Sequence, residues 1–161
     1  MILIALGANL PSRAGAPAAT LRAALAELAA NGVSIARASP FYRTPAWPDP
    51  NDPPYANAIA RVETDLAPQE LMTRLHATET SFGRARSVRN AARTLDVDLL
   101  DYNGRVEDGA LVLPHPRMGV RNFVLIPLRD VAPNWRHPAT GQSVYALNAA
   151  LPAAEQTLPR W

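Results

Sequence analysis

The sequence predicts an α+β fold in which helices pack against an antiparallel β-sheet. Apolar residues recur at helical spacing in two long segments, and at strand spacing or in short continuous runs in four others. The order of these segments is β-α-β-β-α-β, with additional helical segments near the C-terminal end. This order is that of a ferredoxin-like sandwich, whose helices cover one face of the sheet.

The first three predicted elements form a β-α-β unit. Residues 2–6 are a continuous apolar run of the kind that a buried strand carries, and Gly7 ends it. In residues 18–30 leucines and alanines recur at helical spacing, and Asn31-Gly32 ends this helix. Residues 33–42, whose end is rich in residues that favour strands, are expected to form the second strand.

The next three elements repeat this pattern after a proline-rich segment. Residues 43–54 contain five of the sixteen prolines, which predicts an irregular loop that does not join the sheet. Residues 56–63 are the third predicted strand. Pro68 suits the first turn of a helix that runs to about residue 82. Residues 93–102 begin with alternating apolar and polar side chains and are the fourth predicted strand.

The C-terminal part adds a turn and two helices to this unit. Asn103-Gly104 is a strong signal for a tight hairpin turn that returns the chain through residues 105–107. A helix is predicted in residues 123–131, bent or interrupted by its internal proline, and a shorter one in residues 143–150. Since no linker or internal repeat divides the chain, we expect one domain that spans residues 1–161.

The composition excludes several kinds of chemistry. The chain has no cysteine, which rules out disulfides and thiol nucleophiles. All sixteen basic residues are arginine, so neither a Walker-type phosphate loop nor a lysine Schiff base is available. Any bound phosphate must therefore be held by guanidinium groups, backbone, histidine or metal. The first apolar run is too short for a signal peptide or a membrane span, so we expect a cytoplasmic protein without a membrane partner.

The fourth predicted strand carries the most informative motif of the chain. Leu95, Val97 and Leu99 point to one face, and Asp96 and Asp98 point to the other, about 6 to 7 Å apart along the strand. Two adjacent carboxylates repel each other, and a hard divalent cation such as Mg²⁺ removes that repulsion. An arginine-rich loop lies just upstream, and an acid pair beside a cationic loop suits polyphosphate chemistry. The alternative is an edge strand with a solvated acidic face and a basic surface loop.

Two further groups of residues suit ligand binding. His115 lies between two prolines and precedes Arg117 and Arg121, an arrangement that suits a phosphate contact. Tyr55, with Asn57 two residues later, suits stacking and hydrogen bonding to a flat heterocycle. The alternatives are a turn histidine near the start of a helix, and aromatic residues that belong to the core.

Several short segments occur in an order that is known from one enzyme family. They are residues 5–10, 41–45, 55–58, 83–84, 93–98, 114–118 and 121–123. In combination they resemble the 6-hydroxymethyl-7,8-dihydropterin pyrophosphokinase family of folate biosynthesis. The resemblance covers nearly the whole chain, and the Arg-Thr-Leu-Asp-Val-Asp element of residues 93–98 is highly specific.

The resemblance implies the transfer of pyrophosphate from ATP to the hydroxymethyl group of the pterin, with release of AMP. It implies that two magnesium ions are held by Asp96 and Asp98. It also implies that Arg84 and Arg93 close over the phosphates and are catalytic together with the two acids. The implied ATP contacts are Glu79, Arg86, His115 and Arg121. The implied pterin pocket consists of Thr44, Pro45, Tyr55, Asn57 and Phe123.

Three positions depart from the family pattern. The arginine loop ends in Asn90-Ala91-Ala92-Arg93 where the family commonly has Trp-Gly-Pro-Arg, so its packing over the site is expected to differ. Gly119-Val120 replaces residues that are usually polar or charged, which predicts the loss of one phosphate contact. Trp47 stands where a smaller aliphatic residue is common and is expected to reshape the rim of the pterin pocket.

Two other function classes match parts of the sequence. A ferredoxin-like sheet with arginines and exposed aromatic residues also occurs in RNA-binding modules, but aromatic residues are only 6% of this chain and its net charge is only +2. A different metal-dependent nucleotidyl or phosphoryl transferase is the other alternative, since it would use the same acid pair. We expect a monomer whose partners are the small molecules ATP and a pterin, and no nucleic acid.

Overall fold

The computed structural model describes residues 1–46, 49–84 and 93–161. The strands are β1 (Ile2–Ala8), β2 (Ser34–Ala38), β3 (Tyr42–Thr44), β4 (Tyr55–Glu63) and β5 (Asp96–Tyr102). The α-helices are α1 (Pro17–Ala30), α2 (Pro68–Ser81), α3 (Asn122–Val131) and α4 (Val144–Ala149). Short 3₁₀ turns are formed by Met118–Val120 and Ala153–Glu155. Among all the residues that the structure describes, no helix combines the length and the apolar character that crossing a bilayer requires.

The strands form one antiparallel sheet in the order β2-β4-β1-β5, and β3 pairs with β4 beyond the end of β2. The central strand is therefore β1, which lies between β4 and β5. This strand order is the ferredoxin-like one, in which the first and third strands of the unit are neighbours at its centre. The α+β class and the β-α-β-β-α-β core that the sequence predicts are confirmed.

Both faces of the sheet are covered. On one face, α1 and α2 of the ferredoxin-like unit pack against side chains such as Ile4 and Val97. On the other face, α3 packs against side chains such as Leu3 and Leu100. Leu3 and Ile4 are adjacent and both fully buried, because the central strand has protein on either side. The C-terminal helices are thus a third layer, and the functional site lies beside this layer.

The strand that the sequence predicts in residues 33–42 is divided into β2 and β3. Pro40 lies at the break, and its ring nitrogen has no hydrogen to donate to a neighbouring strand. Ser39 keeps the chain attached to β4, because its N–H donates to Ile59 O at 2.9 Å and its hydroxyl accepts from Ile59 N at 3.1 Å. The predicted start of the proline-rich loop at Arg43 was wrong. Arg43 and Thr44 belong to β3, so the loop begins after Thr44.

The turn predicted at Asn103-Gly104 is present. Both residues have positive φ, 54° and 71°, and Arg105 N donates to Tyr102 O at 3.1 Å across the turn. The returning strand of the expected hairpin is not formed in the described residues that follow. Instead, Glu107 pairs with Leu113 in an isolated bridge. The turn ends β5 but adds no strand to the sheet.

Candidate active site

A cleft of about 670 Å³ opens on the α3 side of the sheet, where β1, β4 and β5 lie side by side. Its walls come from β3 and the residues after it, from the start of α3, and from Arg84 and Arg93. The described residues that line it are Ala5, Leu6, Gly7, Thr44, Pro45, Ala46, Tyr55, Asn57, Arg84, Arg93, Asp96, Asp98, His115, Arg117, Arg121, Asn122, Phe123 and Glu155.

The floor of the cleft is made by two small residues of β1. Gly7 pairs with Asn57 of β4 on one side and with Asp96 of β5 on the other. Ala5 pairs with Asp98 in the same way. Paired residues of neighbouring antiparallel strands point to the same face, so a polar residue of β4 and two acids of β5 converge over small side chains. A Cβ atom at Gly7 would lie 3.2 Å from Asn57 Oδ1, so even a methyl group would crowd the floor.

Asp98 carries a negative charge that the protein compensates only in part. Burial raises the pKa of the Asp98 carboxyl, and the neighbouring Asp96 raises it further. The charges of His115, Arg121 and Arg84 act in the opposite direction. A bound cation would relieve both the desolvation and the repulsion between the two acids.

Asp96 differs from Asp98 because each of its oxygens has an arginine partner. Arg84 Nη1 lies 2.6 Å from Asp96 Oδ1, and Arg93 Nη1 donates to Asp96 Oδ2 at 2.6 Å. All three side chains are partly exposed to the cleft, with relative exposures of 20% for Arg84, 27% for Arg93 and 25% for Asp96. Asp96 and the two arginines expected to act with the acid pair therefore form one connected group.

Glu79 lies behind this group and not in the cleft lining of the described residues. The residue is only 1% exposed. Its Oε1 accepts a hydrogen bond from Val97 N at 2.7 Å and also contacts Arg84 Nη1. One carboxylate from α2 thus holds the backbone of β5 and the guanidinium of Arg84 at the same time.

Asn9 fixes the backbone of Arg93. Asn9 Oδ1 accepts from Arg93 N at 2.7 Å, and Asn9 N donates to Arg93 O at 3.0 Å. Asn9 Nδ2 donates to Pro53 O at 3.1 Å, in the loop before β4. Because Asn9 is almost fully buried, these bonds are shielded from water. The end of β1 therefore ties together the two chain segments that flank the cleft.

One end of the cleft suits a flat ring. Tyr55 and Phe123 supply aromatic side chains there, and Thr44 and Pro45 complete the wall. Asn57 is buried, and its Nδ2 donates to Thr44 Oγ1 at 2.9 Å, which fixes the orientation of the amide. This end combines aromatic faces with an oriented polar group, as in many sites for heterocycles.

His115 and Arg121 also line the cleft. His115 Nδ1 accepts from Arg117 N at 3.2 Å, so the neutral ring carries its proton on Nε2. Burial lowers the pKa of His115, and Asp98 opposes this shift. Burial also lowers the pKa of Arg121, whose guanidinium lies 5.4 Å from the centre of the Phe123 ring. Arg121 therefore lies beside the aromatic wall of the cleft, and its charge also acts on Asp98.

The charges of the described lining suit a metal-bound polyphosphate. Its cations are Arg84, Arg93, Arg117 and Arg121, and its carboxylates are Asp96, Asp98 and Glu155. Guanidinium groups bind phosphate oxygens through paired, charge-assisted hydrogen bonds, whereas carboxylates bind hard cations. Both kinds of partner are present within one cleft.

The cleft brings together all but two of the residues that the family resemblance implies. The exceptions are Glu79, which is buried behind Arg84, and Arg86, which lies outside the described residues. Trp47 and residues 90–92, where the sequence departs from the family pattern, also lie outside them. Gly119-Val120 belongs to a 3₁₀ turn, and neither residue lines the cleft, whereas the nearby Arg117 does.

Sequence reasoning missed the contribution of the C-terminal end. Glu155 lines the cleft from the second 3₁₀ turn. The tail after it lies beside β3, since Arg43 N donates to Pro159 O and Trp161 N donates to Phe41 O, each at 2.8 Å. The segment has no periodicity or motif that would have indicated this position. The roles of Ala5, Gly7 and Asn9 were missed as well, although these residues belong to a matching segment.

Comparison with known proteins identifies the family. A sequence profile of the family described as 7,8-dihydro-6-hydroxymethylpterin-pyrophosphokinase matches residues 3–133. The chain belongs to this family. The RNA-binding alternative is therefore replaced by an enzyme class, the pyrophosphokinases of folate biosynthesis.

Curated relatives agree with this family. The chain is 39% identical over 147 residues to the 2-amino-4-hydroxy-6-hydroxymethyldihydropteridine pyrophosphokinase of Synechocystis, covering 90% of this chain and 73% of the relative. It is 36% identical over 153 residues to the protein of the same name from Pseudomonas aeruginosa, covering 94% of this chain and 91% of the relative.

Solved structures share the fold. Wild-type Plasmodium falciparum HPPK-DHPS superposes with a TM-score of 0.65 at 13% sequence identity, covering 91% of this chain. With pteroate, the same protein gives a TM-score of 0.69, also at 13% identity and 91% of this chain. The chain spans only 43% and 41% of these two longer chains, respectively.

We predict that Asn9→Ala lowers the free energy of unfolding by about 1 to 3 kcal/mol, because the buried Asn9 side chain holds Arg93 N and Pro53 O through hydrogen bonds that the alanine cannot make. Urea denaturation followed by circular dichroism measures this change. Asn51→Ala is the control, since Asn51 is exposed in the proline-rich loop and its loss should change stability by less than about 0.5 kcal/mol. Equal midpoints for Asn9→Ala and wild type would contradict the role of Asn9.

Proposed function

We propose that this enzyme transfers pyrophosphate from ATP to the hydroxymethyl group of 6-hydroxymethyl-7,8-dihydropterin. The oxygen of the pterin hydroxyl attacks the β-phosphorus of ATP, and the bond between that phosphorus and the oxygen bridging to the α-phosphorus breaks. The hydroxyl proton is released, the β- and γ-phosphates remain on the pterin, and AMP leaves.

One observation carries this proposal. The acid pair Asp96 and Asp98 lines a single cleft together with the aromatic side chains of Tyr55 and Phe123 and with four arginines. A substrate with a flat ring and a triphosphate-bearing co-substrate would meet at the acids in such a cleft. The names of the Synechocystis and Pseudomonas aeruginosa relatives describe a pyrophosphokinase of a hydroxymethyldihydropteridine, which supports the same assignment.

The acid pair fits Mg²⁺. Its ligand atoms are hard carboxylate oxygens, and the raised pKa of Asp98 reflects a negative charge that a cation would stabilise. Within the described residues, no three His, Asp or Glu side chains converge as a ready-made metal site. Asp96 and Asp98 would therefore hold two ions together with phosphate oxygens and water. When bound, these ions would neutralise charge on the transferred group and lower the pKa of the attacking hydroxyl.

The arginines and His115 hold the triphosphate. Arg84 and Arg93 flank the segment 85–92, so they would hold phosphate oxygens beside the acids and help to exclude water. Nε2–H of His115 donates to a nucleotide phosphate, and Arg121 supplies a second charge there. Arg86 remains an expected ATP contact that lies outside the described residues.

The pterin lies between Tyr55 and Phe123. Stacking on these two rings supplies affinity, and Asn57 hydrogen bonds to the polar edge of the heterocycle. The backbone of Thr44 and Pro45 closes the pocket. The guanidinium of Arg121 lies over the ring of Phe123, so a residue that binds phosphate is in contact with a residue that binds the pterin.

Three expectations from the sequence accompany this proposal. The enzyme is expected to be a monomer, to reside in the cytoplasm, and to act on small molecules without binding nucleic acid. Sedimentation at several protein concentrations tests the first of these expectations. If the protein formed dimers, the fraction of dimer, and with it the average sedimentation coefficient, would rise with concentration.

We predict that Asp98→Asn lowers kcat at least about 100-fold, because a neutral amide is a poor ligand for Mg²⁺ and removes charge stabilisation worth about 3 kcal/mol or more. The amide keeps the size of the side chain, so the fold should persist. Formation of AMP at saturating ATP and pterin measures kcat, and circular dichroism checks the fold.

The matched control is Asp108→Asn, which makes the same chemical change at an exposed site outside the cleft. It should keep the kcat of the wild type. A folded Asp98→Asn enzyme with nearly normal turnover would refute the proposed role of the acid pair.

We predict that Asn57→Ala weakens pterin binding about 5- to 150-fold, because it leaves the buried polar edge of the ring without a partner, at a cost of about 1 to 3 kcal/mol. Tyr55→Phe should change pterin affinity little, since the ring face survives without its hydroxyl. Calorimetric titration with the pterin and an ATP analogue measures both dissociation constants.

Thr44→Val is the matched control for Asn57. It removes the hydroxyl that accepts from Asn57 Nδ2 but keeps the amide itself, so it separates loss of the amide from loss of its orientation. If Asn57→Ala binds pterin like the wild type while Tyr55→Phe does not, the ring lies elsewhere in the cleft.

A further inference from the structure

The Arg84 guanidinium lies between two carboxylates that differ in their surroundings. Its Nη1 contacts Glu79 Oε1 and lies 2.6 Å from Asp96 Oδ1. Glu79 is 1% exposed and is also held by Val97 N, whereas the side chain of Asp96 is 25% exposed to the cleft. Breaking a buried ion pair leaves an uncompensated charge in a site without water, but water replaces a lost partner of a partly exposed one. The pair with Glu79 is therefore the durable one, and the pair with Asp96 is exchangeable.

Arg93 occupies the remaining oxygen of Asp96. Arg93 Nη1 donates to Asp96 Oδ2 at 2.6 Å, and its backbone is fixed by Asn9. Both oxygens of Asp96 are thus paired with guanidinium groups. A free divalent cation that approaches Asp96 must displace at least one of them, against their positive charge.

We infer that Arg84 and Arg93 compete with cations for Asp96, and that Glu79 is a positioning residue that retains Arg84 when Asp96 is released to a cation. This inference rests on the proposed function, in which Asp96 holds Mg²⁺ and both arginines hold phosphates. Cation and polyphosphate then enter by exchange: the carboxylate passes from the guanidinium groups to the cation, and the guanidinium groups pass to the phosphates. Glu79 acts through Arg84, and does not contact the nucleotide.

Mn²⁺ is the probe for this competition between cation and guanidinium groups at Asp96. Electron paramagnetic resonance measures the concentration of free Mn²⁺ as the protein is titrated without nucleotide. The dissociation constant for Mn²⁺ is thus obtained without any turnover. Arg84→Gln and Arg93→Gln each remove one competing guanidinium, so each should tighten Mn²⁺ binding about tenfold relative to the wild type. Adding Asp96→Asn to either variant should abolish the gain.

Arg105→Gln is the matched control, because it makes the same change in charge at an exposed arginine that pairs with Glu107. It should bind Mn²⁺ as the wild type does, which excludes a general effect of net charge. Equal Mn²⁺ affinity in the wild type, Arg84→Gln, Arg93→Gln and Arg105→Gln would overturn the inference. This titration is independent of catalysis, so failure of the proposed function would be seen separately, as absence of AMP formation by the wild type.

The positioning role of Glu79 has its own readout. Glu79→Gln retains an oxygen that accepts from Val97 N but loses the charge that holds Arg84, so kcat should fall about tenfold while KM for ATP changes less than about twofold. In the Arg84→Gln background, Glu79→Gln should lower kcat no further, since Glu79 acts only through Arg84. A raised KM for ATP with unchanged kcat would instead identify Glu79 as a nucleotide contact. Additive losses in the double variant would also contradict the positioning role.

Discussion

The functional cleft depends on the close packing of β1 between β4 and β5. Gly7 and Ala5 point into the cleft from this central strand, and they leave space that larger side chains would fill. Asn57 from one neighbouring strand and the acids Asp96 and Asp98 from the other converge across this space. Each strand is buried by helices on its opposite face, so their relative positions are set by the core. The distance between the ring pocket and the acid pair is thus a property of the sheet.

Electrostatic compensation determines how this rigid frame holds reactive groups. The cleft concentrates carboxylates and guanidinium groups, and each kind would be costly to bury alone. Glu79 and Asp96 share Arg84, and Asp96 is further compensated by Arg93. The charge of Asp98 is compensated less well. Burial and the neighbouring Asp96 raise the pKa of Asp98 more than the nearby positive charges lower it. The same charges that compensate one another in the cleft are those that a metal-bound triphosphate would need, so ligand binding would use alternative pairings of one set of groups.

Local patterns predicted the parts of the site that lie on single strands. Alternation placed Asp96 and Asp98 on one face, and the family resemblance added Tyr55 and Asn57 on β4, all of which line the cleft. What the sequence did not reveal depends on contacts between distant segments. The burial of Glu79 behind Arg84 requires the packing of α2 against β5, and the arrival of Glu155 requires the tail to lie along β3. The division of the second strand at a proline was likewise a matter of tertiary pairing, since both pieces find the same partner strand.

In the proposed reaction, the cleft joins a pterin to the two terminal phosphates of ATP. The most direct test is phosphorus nuclear magnetic resonance of the wild-type enzyme incubated with Mg²⁺, ATP and 6-hydroxymethyl-7,8-dihydropterin. We expect AMP and a pterin diphosphate in equal amounts, because the bond that breaks joins the β-phosphorus to the oxygen that bridges to the α-phosphorus. Formation of ADP with a pterin monophosphate, or of free pyrophosphate with unchanged pterin, would contradict it and would indicate a different phosphoryl or nucleotidyl transferase on the same acid pair.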